Sequence, residues 1–168
     1  MSLPPVFLGL GSNLGDRETA IAGAVERLAA RGFRATLRSS LWLTEPVGGP
    51  PQGLFLNAVV GGETKLGPEA LLEACLATER EMGRVRAERN GPRTIDVDIL
   101  FYGSDRRDGP RLAIPHPRLA ERRFVLAPLA EVAPGLVHPV LGTTAAELLA
   151  RCPDPSFVRL HAPAEARG

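Results

Sequence analysis

The stretch Thr94-Ile95-Asp96-Val97-Asp98-Ile99-Leu100-Phe101 alternates polar and apolar residues as a half-buried strand does. Asp96 and Asp98 then share one face, and Ile95, Val97 and Ile99 share the other. Two carboxylates about 7 Å apart along one face repel each other, and a cation between them relieves that repulsion. A hard divalent ion with oxygen ligands, Mg²⁺ above all, is the simplest one. Just upstream stand Arg84, Arg86, Arg89 and Arg93, split by the turn signal Asn90-Gly91-Pro92, which would fold a basic loop back over the acidic strand. Carboxylates for a metal beside guanidiniums for anions are what a metal-bound polyphosphate requires. The plainer alternative is that the two aspartates are the solvated face of an amphipathic strand.

Charge distribution narrows the ligand. The chain of 168 residues has a net charge of +1, which argues against a nucleic-acid or membrane partner held by bulk charge. Lys65 is the only lysine, and eleven arginines against seven acids fall between Arg80 and Arg123, so an anion site is expected there. With arginine in place of lysine, phosphate contacts would be planar and bidentate, and no P-loop sequence is present. Cys75 and Cys152 have neither CxxC spacing nor a nearby histidine, and read as reduced thiols of a cytoplasmic protein. The N-terminus lacks a basic start and an apolar core, and no run approaches the length that spans a membrane.

These residues need a scaffold. Val6 to Leu10 reads as a buried strand entering the turn Gly11-Ser12-Asn13-Leu14-Gly15-Asp16. Its small residues serve either the close approach of a ligand or tight packing, and Asp16 is a helix N-cap candidate. A helix follows to about Arg31, stopped by Gly32, and then a strand from Phe33 to about Leu43. Residues 44–53 form a Pro/Gly loop, a binding loop or a plain crossover. Phe55 to Val60 is a strand on which Phe55 and Asn57 share a face; Asn57 bonds either to the neighbouring loop or to a heterocyclic amide. Pro68 opens a helix running to Met82. Glu79 near its C-terminus is disfavoured by the dipole, and implies an arginine or ligand partner unless it is simply exposed.

After the acidic strand the chain turns at residues 102–105 and returns along residues 112–114. His116 is pinned between Pro115 and Pro117, ahead of a short helical stretch from Leu119 to Leu126. Further apolar pieces lie at residues 129–132 and 136–140, Thr143 or Thr144 caps a last helix, and residues 152–168 form a loosely attached tail with a possible edge strand at 157–160. The order β-α-β-β-α-β up to Phe101 predicts an α+β, ferredoxin-like core: an antiparallel sheet with helices on one face, plus a C-terminal helical and looped cover, all in one domain spanning 1–168.

Five segments together carry a resemblance: F-L-G-L-G-S-N-L-G from Phe7, T-E-P-V-G from Thr44, F-L-N-A-V from Phe55, G-P-R-T-I-D-V-D-I-L from Gly91 and I-P-H-P-R-L from Ile114. In this order the chain resembles the 6-hydroxymethyl-7,8-dihydropterin pyrophosphokinases of folate biosynthesis over about residues 5 to 150. The resemblance implies transfer of pyrophosphate from ATP, the co-substrate, to the pterin's hydroxymethyl oxygen, releasing AMP. It implies two Mg²⁺ ions held by Asp96 and Asp98, and a pterin placed between Phe55 and Phe124 with Asn57 at its edge and Thr44, Pro46 and Val47 alongside. Glu79, Arg84, Arg93, His116 and Arg122 match ATP and phosphate contacts, with Arg84 and Arg93 the candidates for catalysis; Arg86 and Arg111 match less firmly. Many relatives carry tryptophan where this chain has Asn90, and tyrosine where it has Phe55. The implied partners are small molecules only, and a monomer without nucleic acid or membrane is expected.

Two rival readings remain. A non-catalytic ferredoxin-like module would bind a ligand without regard to Mg²⁺. An RNA-binding ferredoxin-like domain would need an aromatic run on its strands that the sequence lacks.

Overall fold

The structure, a computed structural model, describes residues 3–47, 49–83 and 94–162. Strand β1 (Val6–Ser12) leads into helix α1 (Arg17–Ala30), where Asp16 caps the first turn by accepting the Thr19 N–H at 3.1 Å. Ile21, Ala24, Val25 and Leu28 recur at helical spacing and are the buried residues of α1. Gly32, at φ 110°, turns the chain into β2 (Phe33–Arg38), followed by β3 (Leu41–Thr44) and the long β4 (Phe55–Thr64). Helix α2 (Pro68–Glu81) begins with proline at its first position and leads by a Gly83 turn (φ 79°) towards β5 (Asp96–Tyr102).

One antiparallel sheet joins these strands in the order β5-β1-β4-β3, with β2 paired to the other end of β4. The single strand expected from Phe33 to Leu43 is interrupted at Ser39-Ser40. Both serines are buried: the Ser39 N–H donates to the Val59 carbonyl at 2.9 Å while its Oγ accepts the Val59 N–H, also at 2.9 Å. The backbone N–H and hydroxyl of Ser40 turn instead to the Glu131 carboxylate, at 2.8 and 2.5 Å. Hydroxyls competing for the ladder's hydrogen bonds split the strand, so β2 and β3 pair with successive parts of β4.

Beyond β5 a two-strand hairpin, β6 (Arg107–Asp108) with β7 (Ala113–Ile114), stands apart from the main sheet. The helical stretch expected at 119–126 is two elements: a 3₁₀ turn at Leu119–Glu121, then α3 (Arg123–Val132), with Arg122 extended between them. Helix α3 runs through Pro128, because Val125, Leu126 and Leu129 dock it on the sheet. Thr144 caps α4 (Ala145–Ala150) with a reciprocal capping box to Glu147. Strand β8 (Val158–Ala162) pairs with β3 and forms the far edge of the sheet. No helix among the described residues is long and apolar enough to cross a membrane.

The strand alternation sorts the core into two halves. Val6, Leu8 and Leu10, Leu56, Ala58 and Val60, and Val97 and Ile99 face α1 and α2 and pack with Ile21, Leu28, Leu71 and Cys75. On the opposite face, Phe7, Val59, Leu100 and Phe101 pack under α3 and α4 with Leu126, Leu129 and Leu148. A register shift between Phe7 and Leu8 lets the consecutive residues Leu100 and Phe101 both enter this second core. The helices expected on one face are α1 and α2, and the C-terminal cover lies on the other. That second face changes character along its strands: past Phe7, Val59 and Leu100 it carries Gly9, Gly11, Asn57, Asp98 and Asp96, which offer a helix nothing apolar to bury. The cover stops there and leaves a cleft.

Candidate active site

Register fixes the floor of the cleft. Gly11 pairs with Asp96 on one side and Asn57 on the other, and Gly9 pairs likewise with Asp98 and Val59. Directly opposed residues project to the same face, so both aspartates and Asn57 flank a track of bare backbone. Of the two readings left open for these glycines, tight packing is the one that holds at Gly11: an ideal Cβ there would come within 2.6 Å of Asn57 Oδ1. At Gly9 a Cβ would meet Leu100 Cδ2 at 3.4 Å, close but tolerable. Asn57 is buried; its amide N–H donates to Thr44 Oγ1 at 2.7 Å, so its first partner is the neighbouring strand β3.

The cleft has a volume of about 170 Å³. All six residues expected at a flat heterocycle, Thr44, Pro46, Val47, Phe55, Asn57 and Phe124, line it, together with Asp96 and Arg122. A narrow recess beneath holds Asp96 and Asp98 with Gly9, Gly11, Asn57 and Phe124, so the acidic pair and the aromatic slot are continuous. The Arg122 guanidinium lies 5.6 Å from the centre of the Phe124 ring, within reach of the ring's negative face. Glu45, Gln52, Arg118 and Glu121 also line the cleft and were not singled out from sequence. Glu45 could have been found inside the T-E-P-V run, and Arg118 and Glu121 by their spacing of three, which eclipses side chains on a 3₁₀ turn.

His116 sits beside the cleft, in a neighbouring cavity that also holds Arg107, Ile114 and His138. Its backbone N–H donates to the Leu100 carbonyl at 3.0 Å, and its ring Nδ1 accepts the Arg118 backbone N–H at 3.3 Å, which leaves the ring proton on Nε2. Burial, aided by the Arg122 guanidinium and opposed by Asp96, pushes its pKa down to about 4, so the ring is neutral near pH 7. Glu79 lines none of these three cavities. It is buried, not exposed, and its Oε2 accepts the Val97 N–H at 2.9 Å along the outer edge of β5. The N–H that an edge strand leaves unpaired is thus satisfied by a helix carboxylate. Both cysteines are buried, and burial raises the Cys75 thiol to about 12. Arg84, Arg86 and Arg93, with Asn90-Gly91-Pro92, lie outside the described residues.

Among the described residues no group of three or more His, Cys, Asp and Glu side chains could cage a metal ion by itself. Two carboxylates opening on a cleft fit Mg²⁺, which takes one or two carboxylates and completes its octahedron with water and substrate phosphates. The fold is that of a ferredoxin-like domain, and its cleft sets a slot lined by Phe55, Phe124 and Asn57 next to a pair of aspartates. The family model described as 7,8-dihydro-6-hydroxymethylpterin-pyrophosphokinase (HPPK) matches residues 7–134, and the chain belongs to this family. It is 50% identical over 153 residues to the 2-amino-4-hydroxy-6-hydroxymethyldihydropteridine pyrophosphokinase of Methylorubrum extorquens, covering 90% of this chain and 95% of that one. The protein of the same name from Pseudomonas aeruginosa is 44% identical over 158 residues, covering 92% and 96%. Among solved structures, the Plasmodium falciparum HPPK-DHPS with pterin and p-hydrobenzoate superposes with a TM-score of 0.69 at 16% identity, over 89% of this chain and 44% of that one, a likeness of fold.

Proposed function

We propose that this protein transfers pyrophosphate from ATP to the hydroxymethyl group of 6-hydroxymethyl-7,8-dihydropterin, releasing AMP, as a step of folate biosynthesis. The observation that carries the reading is the continuity of the two compartments: the aromatic, amide-bearing slot and the acidic recess share Asn57, Asp96 and Phe124. A flat ring in the slot has its hydroxymethyl arm beside the place where a cation would hold a polyphosphate.

The hydroxyl oxygen attacks the β-phosphorus of ATP, the bond from that phosphorus to the bridging oxygen breaks towards AMP, and the hydroxyl proton is released. Such a transfer depends on positioning and on stabilising charge over phosphate oxygens, and requires no covalent intermediate. Phe55 and Phe124 hold the ring by its faces, and Asn57, oriented by Thr44, bonds its edge. Asp96 and Asp98 would hold two Mg²⁺ ions, whose positive charge would offset the negative charge of the phosphates. Arg122 faces the same cleft and serves as a phosphate contact. Neutral His116 offers its Nε2–H as a donor to the nucleotide. Arg84 and Arg93 act on the transferring phosphates, and the family likeness assigns Glu79 to the nucleotide side as well. The enzyme works as a monomer on small molecules in the cytoplasm, in keeping with its net charge of +1 and without a nucleic-acid partner.

The test is to incubate the purified protein with ATP, Mg²⁺ and the hydroxymethyl dihydropterin and to separate the nucleotides. AMP forming in step with a pyrophosphorylated pterin supports the reading; ADP, or no pterin-dependent turnover, rejects it.

A further inference from the structure

The family match ends at residue 134, yet the segment just before β8 touches both walls of the cleft. One wall is the start of α3, where Arg123 stands between the cleft residues Arg122 and Phe124. The residue at the N-cap position, Arg122, supplies no side-chain cap. The cap comes instead from far along the chain: buried Asp154 accepts the Arg123 N–H through Oδ2 at 3.1 Å. The Arg123 side chain answers, with Nε donating to the Asp154 carbonyl at 3.0 Å and Nη2 to the Cys152 carbonyl at 3.2 Å. A carboxylate accepting from the first turn of a helix meets both its unpaired N–H groups and the positive end of its dipole.

The other wall is the Thr44–Val47 segment. The second carboxylate oxygen of Asp154 accepts the Ser156 N–H at 2.9 Å and the Ser156 hydroxyl at 2.5 Å, closing a tight turn. The turn delivers the Phe157 N–H to Glu45 Oε1 at 2.9 Å, and Glu45 lies in the cleft between Thr44 and Pro46. Strand β8 then runs on in register with β3, Val158 opposite Thr44.

We propose that residues 152–157 are a strap that sets the width of the pterin slot, with Asp154 as a positioning residue that fixes Phe124 and Arg122 on one side while the Phe157 N–H fixes Glu45 on the other. The proposal rests on the pterin reading of the cleft. Asp154 touches no reactant; it acts through the helix start and the turn. The strap ties to the slot's two walls, through the Arg123 N–H on one side and Glu45 on the other. Its loss therefore weakens the pterin, which meets both walls, more than the nucleotide, which comes within the strap's reach through Arg122 at the start of α3.

Two variants test this from opposite ends of the strap, by steady-state kinetics and by pterin binding measured directly by calorimetry. Asp154→Ala removes the cap, and Phe157→Pro removes the donated N–H at a position just ahead of a strand, where proline is tolerated. Each is expected to raise the pterin KM and Kd about tenfold, equivalent to about 1.4 kcal/mol. The ATP KM should rise less than the pterin KM, by about threefold at most for Asp154→Ala because Arg122 shares its helix start, and within about twofold for Phe157→Pro. Asp154→Asn should recover part of the loss, and Phe157→Ala, which keeps the N–H, should match the wild type. Phe157→Pro carries the test if Asp154→Ala does not fold. Equal losses for both substrates, or a lowered melting temperature with pterin affinity intact, would overturn the proposal. The unmutated protein reports separately on the function: if it binds no pterin, the reading of the cleft falls and the strap's role falls with it.

Discussion

Asn57 Oδ1 occupies the space above Gly11 that any larger residue would need, with only 2.6 Å between it and an ideal Cβ. Gly11 is therefore the empty half of a pair whose other half is the Asn57 amide, the group proposed to meet the ring edge. Gly11→Ala should displace Asn57 from Thr44 and raise the pterin KM at least about tenfold, since a lost buried hydrogen bond costs roughly 1–3 kcal/mol. Gly9→Ala, with a Cβ contact of 3.4 Å to a leucine methyl, should be the milder change for the pterin. Kinetics of the two variants side by side check this; equal pterin KM values would refute the division of roles.

Glu79 separates a structural duty from a nucleotide contact. Removing its carboxylate leaves the buried Val97 N–H without its acceptor, so Glu79→Ala should lower stability by about 1–3 kcal/mol in urea unfolding. Glu79→Gln keeps an acceptor oxygen and should recover most of that loss. A rise in ATP KM for the glutamine variant at unchanged stability marks the nucleotide role; stability loss alone marks the edge role only.

His116 yields a pH dependence. Folded, its pKa is down at about 4 because burial, then Arg122, disfavours the charged ring; a cation held at Asp96 acts in the same direction. Unfolded, the ring titrates near its ordinary 6.5. Between these values the unfolded chain binds more protons, so the contribution is fully present above pH 6.5 and is lost as pH falls towards 4. His138, also lowered by burial, adds to the same trend. His116→Gln should therefore show a shallower fall in stability between pH 7 and pH 5 than the wild type, and a slope at least as steep would contradict the assignment.

Much of the cleft was legible because one strand parity decides so much. Asp96 and Asp98 share a face by alternation alone, and Phe55 and Asn57 share theirs by the same rule. What alternation does not convey is how strands align, so the placing of Gly11 between Asp96 and Asn57 emerged only from the register. Ser39 and Ser40 look compatible with a continuous strand until their partners are known; the acceptor for Ser40, Glu131, lies 91 residues away. Glu79 does call for a partner, but the sequence does not name the one it bonds through Oε2, a backbone N–H on a strand 18 residues further on. Asp154 gave no local signal, since it caps a helix that starts 31 residues before it. Local chemistry announces itself in a sequence, and long-range hydrogen bonds do not.

Asp96 and Asp98 share one face of β5, Asp96 lining the ring slot and both lining the recess beneath it, where the proposed cation would position the nucleotide. The most direct measurement of that role is the Mg²⁺ dependence of AMP release by Asp98→Asn, a substitution that keeps size and fold. The account predicts a melting temperature near that of the wild type, pterin binding retained, and turnover reduced by at least about a thousandfold, the scale on which lost stabilisation of a transferring phosphoryl group is felt. Wild-type turnover with an unchanged Mg²⁺ requirement would contradict it.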